Sequence, residues 1–303
     1  MAPYKSGYVA VVGRPNAGKT TLMNTFLGQK IAAVSPRPQT TRRRQLGILT
    51  QQNAQLIFID TPGIHLPRHK LGEYMVSEAT SALQDADVIV FLVDASSAPE
   101  EGDRLVAEQI EALKPHIPVV ILAVNKVDLV DLQVLTTRQS AYQALVPQAA
   151  AVALSCQTGF HCDLLLNQII QSLPEGAPLF DEDQVTDYFE RDIAGELVRE
   201  AALIHLRDEV PHCIAVRVDE YKERGETGAF VAATLFVERD SQKGIVIGQG
   251  GEMLKTIGAT ARREIEKMSG RKIYLELRVK VQKNWRNSPE ALRLLGLARQ
   301  DEG

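Results

Sequence analysis

The chain has no apolar run near the ~20 residues that cross a bilayer as a helix. Its first residues, Met1-Ala2-Pro3-Tyr4-Lys5-Ser6-Gly7, hold no apolar leader and no lipidation motif. Cysteine is scarce. Cys156, Cys162 and Cys213 are odd in number and lack metal-ligand spacing, which argues against a disulfide framework and a zinc site. No internal repeat and no low-complexity segment occurs, and Trp285 is the only tryptophan. These absences give the expectation of a cytoplasmic protein. What is present is ordinary for a soluble globular chain, 45% apolar and 24% charged residues. At 303 residues the chain is long for one domain, so two are expected.

The net charge of −4 conceals an uneven distribution. Residues 1–174 carry 14 basic and 14 acidic side chains, residues 175–240 carry 7 against 17, and residues 241–286 carry 11 against 4. A basic block of +7 behind an acidic one of −10 suggests a face for an anionic polymer, or else a solvated helix surface.

Gly13-Arg14-Pro15-Asn16-Ala17-Gly18-Lys19-Thr20-Thr21 fits G-x-x-x-x-G-K-[ST]. Glycines allow a tight bend in which successive N–H groups face phosphate oxygens, a lysine reaches the β- and γ-phosphates, and the next hydroxyl binds Mg²⁺. The apolar run Tyr8–Val12 reads as the strand before this loop, and residues 20–27 read as the helix after it, whose N-terminus favours an anion. A loop rich in Pro, Thr and Arg follows, holding Gln39-Thr40-Thr41-Arg42. A threonine hydroxyl there can reach Mg²⁺ while the γ-phosphate is present. Two strands, 46–50 and 55–59, lead to Asp60-Thr61-Pro62-Gly63. Asp60 is placed to hold the Mg²⁺ shell through water, and the N–H of Gly63 to report the γ-phosphate. Apolar strands at 88–93 and 119–124 follow, the second leading into Asn125-Lys126-Val127-Asp128. The Asp128 carboxylate can accept from both N1–H and N2–H of guanine, whereas adenine would leave it unsatisfied. Asn125 can meet the base edge and brace loops, and the Lys126 stem can cover the ring. A last strand, 151–154, ends in Ser155-Cys156-Gln157, where a backbone N–H can donate to guanine O6. Alternating strands and helices predict an α/β domain over 1–173, a mostly parallel sheet with helices on both faces.

Pro174-Glu175-Gly176-Ala177-Pro178 and the acidic residues to Asp187 predict a linker over 174–187. Over 188–303 the pattern is helix, two strands, two helices and a strand, then a tail. Between the paired helices lies Ile245-Val246-Ile247-Gly248-Gln249-Gly250-Gly251, with Lys255 just beyond. The G-x-x-G turn resembles that of a KH domain of type II, an α+β fold whose turn clamps about four nucleotides of a single strand. Ile245, Val246 and Ile247 are expected to wall the base groove.

Five nucleotide motifs in this order resemble a small GTPase. Gly-Arg-Pro-Asn, Gln-Thr-Thr-Arg and Asp-Thr-Pro-Gly are similar to bacterial GTPases of the translation-factor-related class, most closely the Era family, which also has a C-terminal KH domain. The resemblance covers nearly the whole chain. It implies a GTPase binding GTP or GDP with Mg²⁺ held by Thr20, Thr41 and Asp60, and it alone selects Thr41 over Thr40. It implies catalytic roles for Asn16, Lys19, Thr41 and Gly63, and K⁺ at Asn16. Most relatives have alanine where Cys156 stands; a backbone contact tolerates the change. Ile64 replaces the glutamine that orients water in Ras-like proteins, so hydrolysis is expected to be slow. The implied RNA is the 3′ end of 16S ribosomal RNA, in assembly of the small subunit. The alternative is a nucleotide-gated module for a protein or an anionic membrane surface, with part of the protein at the inner membrane.

Overall fold

Strands that are apolar on both faces must be covered on both sides, and this requirement sets the first architecture. The computed structural model describes residues 3–29, 41–115, 118–225 and 227–298, so Gln39 and Thr40 lie outside the described residues. The described residues form two compact units, one of 3–29, 41–67 and 75–187, the other of 68–74 and 188–298.

In chain order the first elements are β1 (Lys5–Val12), α1 (Lys19–Leu27), β2 (Gln45–Gln51), β3 (Ala54–Asp60), α2 (Lys70–Asp85), β4 (Val88–Asp94), α3 (Glu101–Glu111), β5 (Val119–Asn125), α4 (Leu132–Gln143), β6 (Ala150–Ala153) and α5 (Cys162–Ser172). The sheet order is β2-β3-β1-β4-β5-β6, with only β2 antiparallel to its neighbour. Every residue of β3 and β4 is buried. The strand order reverses around β1, so the loop after it opens at the topological switch point, where ligands of open α/β sheets bind.

Residues 174–187 behave differently from the linker that their composition suggests. Ser6 donates from N–H to Pro174 O (3.2 Å) and from Oγ to Ala177 O (2.6 Å). The fully buried Gln55 holds Phe180 O with its amide nitrogen (2.8 Å) and accepts from the N–H groups of Leu179 (2.6 Å) and Phe180 (2.9 Å). Ile48 N–H donates to Val185 O (2.7 Å), and Thr186 Oγ1 to Leu46 O (2.7 Å). Proline and acid-rich composition reports solvation, and it is silent on a single buried glutamine that can satisfy three backbone groups.

The second unit contains α6 (Glu190–His205), β7 (Ala215–Arg224), β8 (Gly228–Val237), α7 (Asp240–Ile247), α8 (Glu252–Ser269), β9 (Lys272–Val281) and α9 (Pro289–Leu294). The helix–strand–strand–helix–helix–strand order is the one expected. β8 is central, antiparallel to β7 and parallel to β9. One sheet face packs with α6, α7 and α8 into a core that includes Leu197, Val231, Leu235 and Ile257. Trp285 is fully buried and donates from Nε1 to Cys213 O (2.9 Å), so the sole tryptophan is a packing residue.

Candidate functional site

The loop after β1 curls around its own lysine. Lys19 Nζ donates to Gly13 O (3.1 Å) and Arg14 O (3.0 Å). Burial pushes its pKa from 10.5 down to about 8, against the opposing pull of Asp60. Asn16, at φ 65°, occupies the left-handed region that asparagine tolerates better than most residues. Thr20, at the start of α1, donates from Oγ1 to Asp60 Oδ2 at 2.9 Å. Thr41 Oγ1 donates to the same oxygen at 3.1 Å, and the two hydroxyls lie 3.0 Å apart. The three residues named as metal ligands thus converge. Asp60 is fully buried, its second oxygen has no hydrogen-bond partner among the described residues, and burial pushes its carboxyl up. An orphaned carboxylate oxygen beside two hydroxyls, all hard donors, fits Mg²⁺.

Gly63 closes the other side of the loop. A Cβ there would lie 2.6 Å from Pro15 N, so this close approach requires glycine. Ile64 is buried in the sheet core and carries no polar atom toward the site. His65 Nδ1 lies 2.9 Å from Gly63 O.

At the carboxyl ends of β5 and β6, Asn125 braces two loops. Its Nδ2 donates to Ala17 O (2.8 Å), and its Oδ1 accepts from Cys156 N–H (2.9 Å). Of the Ser155–Gln157 turn, one of whose backbone N–H groups is expected for guanine O6, the Ser155 N–H is engaged by Phe160 O (3.0 Å) and the Cys156 N–H by Asn125, because the side chain that braces the phosphate loop also reaches this turn. Ser155 is buried and its Oγ accepts from Thr158 N–H (3.2 Å). Contact with Cys162 and burial together push the Cys156 thiol up, as expected of an inert thiol. Asp128 sits exposed in the short turn 127–129, its carboxylate available to a ligand.

Sequence reasoning missed one cluster. Lys126, at φ 66°, places Nζ 2.6 Å from Asp94 Oδ2. Arg14 points the same way, to Ser97 Oγ (2.6 Å), Glu100 (3.1 Å), Asp94 (3.5 Å) and Asp103 (3.5 Å). The Arg14 side chain thus anchors the loop, leaving its backbone for a phosphate. Burial raises the Asp94 carboxyl, but hydrogen bonds from Lys126 and Ser96 outweigh it and hold the carboxyl low. A carboxylate at the end of an all-apolar strand was the available signal, as it was for Asp60.

In the second unit, Gly248, Gly250 and Gly251 turn the chain between α7 and α8 at φ 73°, 60° and 83°. A Cβ on Gly248 would meet Met253 Cβ at 2.7 Å, whereas Gly250 and Gly251 face open space. Ile245 is exposed and Ile247 half-buried, beside Gln249 and Lys255 on the surface. Val246 is fully buried in the core and walls no groove, because consecutive helical residues cannot share a face.

A family model described as 50S ribosome-binding GTPase matches residues 8–126, and a KH-domain model matches residues 209–286. The chain is a P-loop GTPase joined to a KH domain. "GTPase Era" of Ruminiclostridium cellulolyticum is 46% identical over 293 residues, 97% of each chain. The protein belongs to the Era family of GTPases. A solved structure of Era in complex with MgGDPNP and nucleotides 1506–1542 of 16S ribosomal RNA is 40% identical, with TM-score 0.93 over 98% of this chain and 100% of that one. A single-residue variant of Aquifex aeolicus Era bound to GDP and AlF4⁻ is also 40% identical, with TM-score 0.92 over 97% of this chain and 100% of that one. No helix among the described residues is long and apolar enough to cross a membrane.

Proposed function

We propose that this chain binds GTP with Mg²⁺ in the first unit, which runs to Asp187, hydrolyses it, and binds single-stranded RNA through residues 188–303. The RNA is the 3′ end of 16S ribosomal RNA, and the process is assembly of the small ribosomal subunit. The convergence of Thr20, Thr41 and the orphaned Asp60 oxygen beside Lys19 carries this reading. The relative crystallised with MgGDPNP and 16S nucleotides 1506–1542 supports the ligand identities.

The roles follow from the chemistry of the groups. Lys19 exchanges its two carbonyl partners for β- and γ-phosphate oxygens. Backbone N–H groups of residues 13–21 cradle the phosphates. Thr20 and Thr41 hydroxyls, with Asp60 through water, hold Mg²⁺; the bound ion neutralises charge developing on the phosphates. Gly63 N–H meets the γ-phosphate. Asp128 accepts from guanine, Lys126 covers the ring, and the Gln157 N–H faces the O6 edge. Ile64 offers the attacking water no polar side-chain atom; Asn16 would be the residue to hold a K⁺, which would supply further positive charge at the phosphates. Faster GTP turnover in K⁺ than in Na⁺ at matched ionic strength, lost in Asn16→Gly, is the expected outcome; equal turnover removes the cation. Gly248–Gly251 receive the RNA backbone, Ile245 and Ile247 contact bases, and Lys255 contacts a phosphate. The location is the cytoplasm, whose reducing setting suits three free cysteines; attachment of part of the protein to the inner membrane surface is the alternative.

Asp128→Asn tests the base assignment. The amide still accepts from N1–H but faces the N2 donor with its own N–H. GTP affinity is expected to fall roughly 10- to 100-fold, with xanthosine triphosphate recovering much of it. Unchanged GTP binding would remove Asp128 from the site. Parallel RNA titration and vesicle flotation of the full chain separate the RNA reading from the membrane one.

A further inference from the structure

The sheet of the second unit has two unlike faces. Ala229, Val231, Ala233, Leu235 and Val237 of β8 point into the helix-covered core. The alternate residues form the outer face, and the register aligns them in rungs across all three strands. Arg224, Gly228 and Lys272 make the first rung, and Lys222, Phe230 and Tyr274 the second. Beyond a middle rung of Glu220, Ala232 and Glu276 come Arg217–Thr234–Arg278 and Ala215–Phe236–Lys280. In these two, Ala215, Thr234 and Phe236 are buried, the Arg217 guanidinium lies 5.4 Å from the Phe236 centroid, and the long cations are what the face presents.

Tyr274, the third residue of β9, is 66% exposed, on the side away from the core. It stacks on Phe230 with centroids 5.7 Å apart and planes 20° apart, and the Arg224 guanidinium lies 5.1 Å from the Phe230 centroid. The face's carboxylates are largely spent internally. Glu276 holds Arg278 (2.6 Å), and Asp219 holds Arg217 (2.7 Å) and Thr234 Oγ1 (2.6 Å). Lys222, Lys272 and Lys280 have no carboxylate in ion-pair range among the described residues. An open aromatic plane flanked by lysines outside ion-pair range of a described carboxylate is how sheets hold single-stranded RNA, bases on rings and phosphates along lysines. Rungs on one face recur every ~7 Å, close to one nucleotide of extended strand.

We infer that this outer sheet face is a second site for single-stranded RNA, separate from the glycine turn, which lies among the helices covering the opposite face. The inference rests on the RNA reading above. Its net positive charge and stacking plane favour a nucleic acid over an apolar protein surface.

The test titrates the full chain with 16S nucleotides 1506–1542. Tyr274→Leu is expected to weaken binding at least about fivefold, and Tyr274→Phe to restore it, as loss and return of one stacked base require. Lys222→Gln combined with Lys280→Gln should flatten the slope of log K against log salt by up to ~1.4, two single-strand phosphate contacts. Gly250→Asp serves as the comparison. If it weakens binding while the sheet variants match the parent in affinity and salt slope, the second site is overturned and the RNA reading stands, even if the face captures a protein instead. A parent chain that does not bind the RNA overturns both.

Discussion

Lys19 illustrates how one side chain can report the whole nucleotide site. In the free protein burial holds its pKa near 8, far below 10.5. Phosphates restore the charge, so the bound form keeps its proton at pH values where the free form has lost it. Below about pH 8 this group adds no pH dependence; above it, binding takes up a proton and affinity falls by up to about tenfold per pH unit. Calorimetry at about pH 9 in two buffers of different ionisation enthalpy should show that uptake for GDP. Zero uptake would mean that Lys19 is already charged in the free protein at that pH, or that the phosphates do not meet it. Asp94 carries a comparable lesson. It grips Lys126 at 2.6 Å and approaches Arg14 at 3.5 Å, so one carboxylate ties the base loop to the phosphate loop.

At the scale of elements, the glycine turn separates charge from strain. Gly250 has φ 60° and open space at its Cβ position. Asparagine and aspartate both tolerate that conformation and are nearly equal in size, so they differ chiefly in charge. Gly250→Asn should bind RNA within a fewfold of the parent, and Gly250→Asp at least about tenfold more weakly, because a carboxylate faces the phosphate. Equal losses in the two variants would assign the effect to the backbone. Gly248 is unsuitable for this comparison, since any Cβ there collides with Met253. The elements also show what a sequence discloses. β3 and β4 were legible because nearly every residue is apolar and each strand ends in an acid, and the motif loops follow those strand ends. The facing of Val246 was not, because three successive apolar residues carry no periodicity. Nor was the engagement of the Cys156 N–H by Asn125, which depends on loops brought together only in the fold. The Arg14 cluster was also hidden, its acids spread from Asp94 to Asp103.

For the molecule as a whole, the two domains were legible from composition and motif order, but the point at which the first one ends was not. Its last helix closes at Ser172, yet Gln55, Ile48 and Leu46 continue to hold partners as far as Asp187. β2 is an outer strand of its sheet, and the acidic segment is what occupies its free side. A fragment of residues 1–173 would therefore bare a row of unpaired backbone groups on that strand and strip Gln55 of three bonds, each worth roughly 1 kcal/mol. Such an edge is a template for pairing with another copy. The fragment 1–187 should remain monomeric and melt several degrees higher than 1–173, which should self-associate; matching melting temperatures and light scattering would count against this. The acidic charges then acquire a second use. Strung along an outer strand, they make the approach of a like-charged neighbour costly, so a segment that reads as a spacer serves as the sheet's guard against aggregation.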